Sequence, residues 1–152
     1  MLNKKICMVG NAESGYETIK HLLENGIIIS YFITITEKQA EKALVSGFKD
    51  FKPLAEKYNI PIYYLNVYSM KNAMDVEFFR KQKFDLLLQG GWQRLIPEVI
   101  LKTFSIGGIG IHGSSDFLPK GRGRSPLNWS IIKDKKRFIM HLFIMKIGAD
   151  NG

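Results

Sequence analysis

Short apolar runs alternate with amphipathic stretches along the chain, and glycine or proline stands at many of the junctions. The run "KKICMVG" (residues 4–10) ends in glycine and reads as a buried strand. In "GYETIKHLLENG" (15–26), Ile19, Leu22 and Leu23 share one face and Asn25-Gly26 closes the segment, the pattern of a helix with its C-terminal stop. "IIISYFITI" (27–35) is almost continuously apolar rather than alternating, as suits a parallel strand covered on both faces. Two short helical pieces follow at 37–47 and 51–59, then a strand at 60–66, an amphipathic helix at 70–83 and a strand at 84–90. The short helix expected at 96–104 has Pro97 in its first turn, where proline is favoured. A strand at 106–113, a helix at 125–134 opening on Ser125-Pro126, and a last strand at 137–145 complete the pattern. Strands alternating with helices over short connections predict an α/β fold: a Rossmann-like open, mostly parallel twisted sheet with helices on both faces. Ligands of such sheets bind beyond the carboxyl ends of the strands. Gly10-Asn11, Gly90-Gly91-Trp92 and His112-Gly113 fall at those ends.

The length of 152 residues fits one domain, residues 1–152. No apolar run approaches the roughly 20 residues of a membrane helix, and nothing at the start reads as a signal peptide. With Cys7 as the lone cysteine there is no disulfide framework, so a cytoplasmic setting and no membrane partner are the expectation. The net charge of +8 is unevenly spread. Lys120, Arg122, Arg124, Lys133, Lys135, Lys136 and Arg137 lie in one stretch against Asp134 alone, which leaves 15 basic and 13 acidic residues elsewhere. A field focused in one region favours an anionic, phosphate-bearing partner. "KDKKR" reads as a solvated turn, whereas Arg122 and Arg124, set among glycines, are placed to touch a ligand.

Candidate chemistry is sparse. "GNAESG" (10–15) joins a strand to a helix, where backbone N–H groups can cradle a phosphate, but it lacks both the Lys-Ser/Thr of a triphosphate loop and the spacing of a dinucleotide loop. A tight turn is the better reading. His21, His112 and His141 are too scattered to imply a metal centre. His21 falls on a helix, and His141 sits mid-strand in "FIMHLF", where a satisfied core histidine is expected. His112 ends a strand at the ligand-binding edge, where a histidine oriented by a carboxylate can move protons near neutral pH. Asp116, Asp134 and Asp150 are the carboxylates available, and spacing does not choose among them.

"GIHGSSDFLPKGRGRSPLNWSII" (110–132) followed by "GADNG" (148–152) resembles the formyltransferases that use 10-formyltetrahydrofolate, a family including methionyl-tRNA, glycinamide ribonucleotide and sugar N-formyltransferases. His112, Ser114, Leu118-Pro119, Arg122-Gly123, Pro126 and Asp150-Asn151-Gly152 carry the likeness. "GGWQRLIP" (90–97) resembles the family's folate-binding loop, and "LAEKYNIPIYYLNV" (54–67) its central strand region. The resemblance implies His112 as proton handler and oxyanion stabiliser, with Asp150 setting its protonation. It implies a folate slot beside Trp92, Gln93, Arg94, Leu95 and Ile96, with Gly148 and Ala149 nearby. The amine substrate would meet Gly10, Asn11, Ser114, Arg122 and Arg124. No metal is implied.

Two departures stand out. Gly110 replaces the family's asparagine two residues before the histidine, and losing one such oxyanion donor costs on the order of 100- to 1,000-fold in rate. Either another donor replaces it, such as Gln93 or an ordered water, or the chain is slow or inactive. "HGSSDFLP" also carries a two-residue insertion. Because Asp150 stands two residues from the end, its carboxylate is expected to fray unless held, and a domain lacking a carboxyl-terminal extension, or a second copy of the chain as partner, is the corresponding expectation. "RGRSPLNW" is nearer the sugar and methionyl-tRNA branches. A nucleotide-linked amino sugar is the favoured amine, tRNA the less favoured one, and an inactive folate- or nucleotide-binding relic the other alternative.

Overall fold

A computed structural model describes residues 4–152. The sheet has six strands in the order β3-β2-β1-β4-β5-β6: β1 (Ile6–Gly10), β2 (Tyr31–Thr34), β3 (Ile62–Tyr64), β4 (Leu86–Gly90), β5 (Gly107–Ser114) and β6 (Ile139–Ile144). The pairings among β1 to β5 are parallel, and β6 runs antiparallel to β5. The helices are α1 (Glu13–Glu24), α2 (Glu37–Lys42), α3 (Lys52–Tyr58), α4 (Ala73–Gln82), α5 (Glu98–Leu101) and α6 (Pro126–Ile132). The Rossmann-like architecture is thus as the periodicity predicts.

Alternation along the central strands sorts the core into two layers. Met8 and Phe32 point to one face, where Ile19, Leu54 and Ala55 of α1 and α3 cover them. Cys7, Val9 and Ile33 point to the other, under Ala40, Phe79 and Ile100 of α2, α4 and α5. Burial raises the Cys7 thiol pKa well above its ordinary value, which removes it as a nucleophile. Asp75, fully buried on α4, accepts from Tyr63 Oη, Asn66 N, Asn66 Nδ2 and Val67 N, and so pins the end of β3 to that helix.

The predicted second strand is longer than the observed one. Strand pairing with β1 begins at Cys7↔Tyr31, preceded by one bond from Ser30 N to Ile6 O, and Ile27 and Ile28 are exposed. The first helix starts at Glu13 rather than Gly15, with Ala12 as its N-cap. Gly15 is then left at a close crossing, because a Cβ there would collide with the Gly90 backbone. Across β6 the burial alternates: Ile139, His141 and Phe143 are partly covered, and Met140, Leu142 and Ile144 are exposed.

Candidate active site

The carboxyl end of β5 carries His112, and its environment is built from three pieces of chain. Cross-strand pairing sets His141 of β6 opposite His112 and Phe143 opposite Gly110. The loop after β5 folds back over the strand end, and the turn after β6 brings up Asp150. His112 is 9% exposed. Its Nδ1 faces Asp150 Oδ1 at 3.4 Å, and its Nε2 lies 2.9 Å from the carbonyl oxygen of Gly121. A carbonyl only accepts, so the Nε2–H donates to it. Both ring nitrogens therefore face acceptors, one fixed on the loop and one on the carboxylate.

Geometry selects among the three carboxylates. Asp116 pairs with Lys135 and Asp134 with Lys136, whereas Asp150 alone reaches His112. Asp150 does not hang free. Its Oδ2 accepts from Gly123 N at 2.9 Å. The neighbouring Asn151 accepts from Arg122 and donates to Ile147 O, and Lys146 N donates to Asn151 O. The expected fraying is thus offset by contacts within the chain. Asp150 adopts φ 48°, a left-handed conformation that aspartate tolerates better than most residues.

The other proposed site residues divide. Ser114 is fully buried and works inside the loop, donating to Lys120 O and accepting from Asp116 N. Arg124 and Lys120 are exposed on the loop with no acidic partner among the described residues. Gly10, like Gly15, abuts Gly90, and Asn11 is fully buried with both carboxamide atoms unpartnered. Trp92 belongs to the core rather than lining a slot. It is 5% exposed and packs edge-on against Tyr68, because the turn at Gly91 directs it inward. Gln93 donates to Ser46 O at 2.7 Å and is committed there, so it does not substitute for the missing donor at 110. Arg94 stacks over Tyr68, Leu95 is exposed, Ile96 lies beneath, and Gly148 and Ala149 are exposed near Asp150.

Three site residues escape the sequence reading. Gln89 donates from Nε2 to Trp92 O at 2.8 Å and accepts at Oε1 from Ile111 N at 3.4 Å, bracing the 92–96 loop against the strand that carries His112. Its signal was an amide closing an otherwise apolar strand. Phe143 explains Gly110: a Cβ there would lie 2.8 Å from Phe143 Cζ and 3.0 Å from Met145 Cγ, so the ring occupies the space of a side chain. His141 is not the satisfied core histidine expected of it. Its Nδ1 donates to His112 O at 3.2 Å, but its Nε2 is buried and has no partner.

No family model matches the chain. Methionyl-tRNA formyltransferase of Caldanaerobacter subterraneus subsp. tengcongensis is 29% identical over 151 residues, 97% of this chain and 47% of that protein. The bifunctional polymyxin resistance protein ArnA of Wigglesworthia glossinidia brevipalpis is likewise 29% identical, over 97% of this chain and 22% of its own length. Across nearly its whole length the chain is similar to formyltransferases. It spans about half the length of the methionyl-tRNA relative it matches. The formyltransferase fold is shared with phosphoribosylglycinamide formyltransferase from Bacillus halodurans at a TM-score of 0.75 and 18% identity, covering 98% of this chain and 75% of that one. Within this formyltransferase fold, the His112–Asp150 pair stands at the same strand-end edge to which the sequence motif pointed.

Proposed function

We propose that this chain transfers a formyl group from 10-formyltetrahydrofolate to the primary amine of a nucleotide-linked amino sugar. The observation that carries the reading is the His112–Asp150 pair at the end of β5, enclosed by a basic, glycine-rich loop. The folate supplies an activated formyl carbon. Asp150 orients the His112 ring, and the opposite nitrogen, once released from Gly121, donates to the oxygen that gains charge as the amine attacks. A preorganised donor aimed at that oxygen is the largest electrostatic contribution such a site makes. A flat ring with a polar edge suits the 93–96 loop, which offers the exposed Leu95 beside backbone groups held in place by Gln89. Lys120 and Arg124 favour a phosphate-bearing acceptor, which needs few contacts.

Relatives named for methionyl-tRNA and for polymyxin resistance match at equal identity, so the acceptor rests on this charge argument. Gly110 and the ring of Phe143 over it favour a second reading, a folate-binding chain without transfer. Calorimetric titration with 5-formyltetrahydrofolate, followed by transfer assays with UDP-glucosamine and with methionyl-tRNA, separates the readings. Binding plus transfer to the sugar supports the proposal. Transfer to tRNA alone replaces the acceptor, binding without transfer establishes the relic, and no binding by folded protein defeats the family chemistry in this chain.

A further inference from the structure

The unpartnered nitrogen of His141 is a buried polar atom beside His112 for which the fold supplies no partner. His141 stands directly across from His112 on the same face of the sheet, where cross-strand Cβ atoms are about 4.5–5.5 Å apart. Because Nδ1 donates to the His112 carbonyl, the neutral ring carries its lone pair on Nε2. A buried acceptor without a partner loses its hydration with nothing in return, which is tolerated where the group has work to do. The same loop covers both histidines. Gly121 O sits on His112 Nε2, and the Phe117 ring stands edge-on to His141 with centroids 6.2 Å apart. Phe117 is itself exposed on its outer side, and the loop is fastened by polar contacts from Arg137, Asp150 and Asn151 that water can replace. Lifting the loop exposes two imidazole nitrogens to one space at once.

We propose that His141 is the proton acceptor for the attacking amine, with Nε2 uncovered when the 115–124 loop moves. This rests on the formyl-transfer reading above. The amine nitrogen forms a bond to the formyl carbon and gives a proton to His141 Nε2. The bond from that carbon to N10 of the folate then breaks, and the proton passes from His141 to N10, leaving the N-formyl product and tetrahydrofolate. His112 holds the oxyanion throughout, so the two histidines divide the work of proton acceptor and oxyanion donor. The charged groups around the pair are Asp150 on His112, Arg137 over the outer face of Phe117, and Asp116 paired with Lys135.

The experiment compares the whole chain with His141→Asn and His141→Gln in steady-state formyl transfer to UDP-glucosamine across pH. Asparagine preserves an N–H near the Nδ1 position, and so the bond to His112 O, while removing the base. The expected result is a fall in kcat of about 100-fold for both variants, KM for the amine changed by less than about threefold, and loss of the acidic limb of the kcat profile. His141→Asn with wild-type kcat and an intact acidic limb overturns the inference while leaving formyl transfer standing. No transfer by the wild-type chain overturns the functional reading itself. Nitrogen-resolved NMR of the unmutated protein gives a check independent of any variant's folding: His141 must show a protonated Nδ1 and a bare Nε2 when neutral. The opposite tautomer sinks the proposal.

Discussion

Restoring a side chain at position 110 tests whether Phe143 truly occupies its place. In Gly110→Asn, the new Cβ would meet Phe143 Cζ at 2.8 Å, Phe143 Cε2 at 3.1 Å and Met145 Cγ at 3.0 Å, each closer than ordinary van der Waals contact. Overpacking of this kind costs about 1–3 kcal/mol, against which replacing a strand glycine returns about 0.5–1 kcal/mol. The net expectation is a loss of roughly 0.5–2 kcal/mol. Phe143→Ala removes a partly covered ring, for which about 1–2 kcal/mol is reasonable when a fully buried one contributes about 1.5–3. Together the changes relieve each other, since the asparagine then enters the space the ring has left. The double variant should lose about 1–2 kcal/mol less than the sum of the single losses, well outside the roughly 0.5 kcal/mol within which independent sites add. Urea unfolding of the four proteins, with equal m-values as the control, measures this coupling. Additive losses, or a neutral Gly110→Asn, would show that the ring and the missing side chain do not compete.

The remaining expectations concern the site and the body of the fold. His112→Asn should reduce formyl transfer by about 100- to 10,000-fold while calorimetry finds 5-formyltetrahydrofolate binding intact; full transfer activity in that variant would defeat the catalytic assignment. Asp150→Asn keeps an acceptor for Gly123 N but removes the negative charge facing His112 Nδ1, so kcat should fall at least about tenfold with folding stability little changed, read from steady-state rates and urea midpoints. Tyr63 is pushed up to about 12, first by burial and then by its bond to Asp75. A raised folded-state pKa means that its contribution to stability is complete below its ordinary value of 10.0 and is lost as pH rises toward about 12. Urea unfolding across that window should show a decline that Tyr63→Phe lessens; identical pH dependence in the variant would remove the assignment.

What the sequence revealed and what it withheld divide along a physical line. Apolar period and strand-end glycines depend on local geometry, so the alternation of elements and the position of His112 at a strand end were legible in the sequence. The partner of His112 was not, because Asp116, Asp134 and Asp150 differ only in where distant turns deliver them. The likeness to formyltransferases named Asp150, and the fold then showed Gly123 and Arg122 securing that turn, contacts that no local pattern encodes. Trp92 misled for a related reason: an aromatic residue beside a predicted ligand loop looks like a platform until the turn at Gly91 sends it into the core.

Gly110 and His141 show the same limit from the other side. Read along β5, Gly110 is a deletion of chemistry. Read across the ladder to β6, it is half of a pair whose other half is Phe143, and the change is one of shape as well as of function. His141 read along β6 is a polar residue on the inner face of an alternating strand, where the natural expectation is a fully bonded imidazole. Across the ladder it donates to the backbone of His112 and leaves its second nitrogen bare. Antiparallel register therefore places both anomalies within two residues of each other on one face of one strand pair. A chain with glycine at 110 has, at 141, a group that can take a proton. Formyl transfer needs both oxyanion stabilisation and amine deprotonation, and His112 cannot hold the oxyanion and accept the amine proton through the same nitrogen. A second imidazole beside it relieves that conflict, which is why His141→Asn is the more informative substitution: it leaves the backbone tie in place and removes only the nitrogen that has no other use.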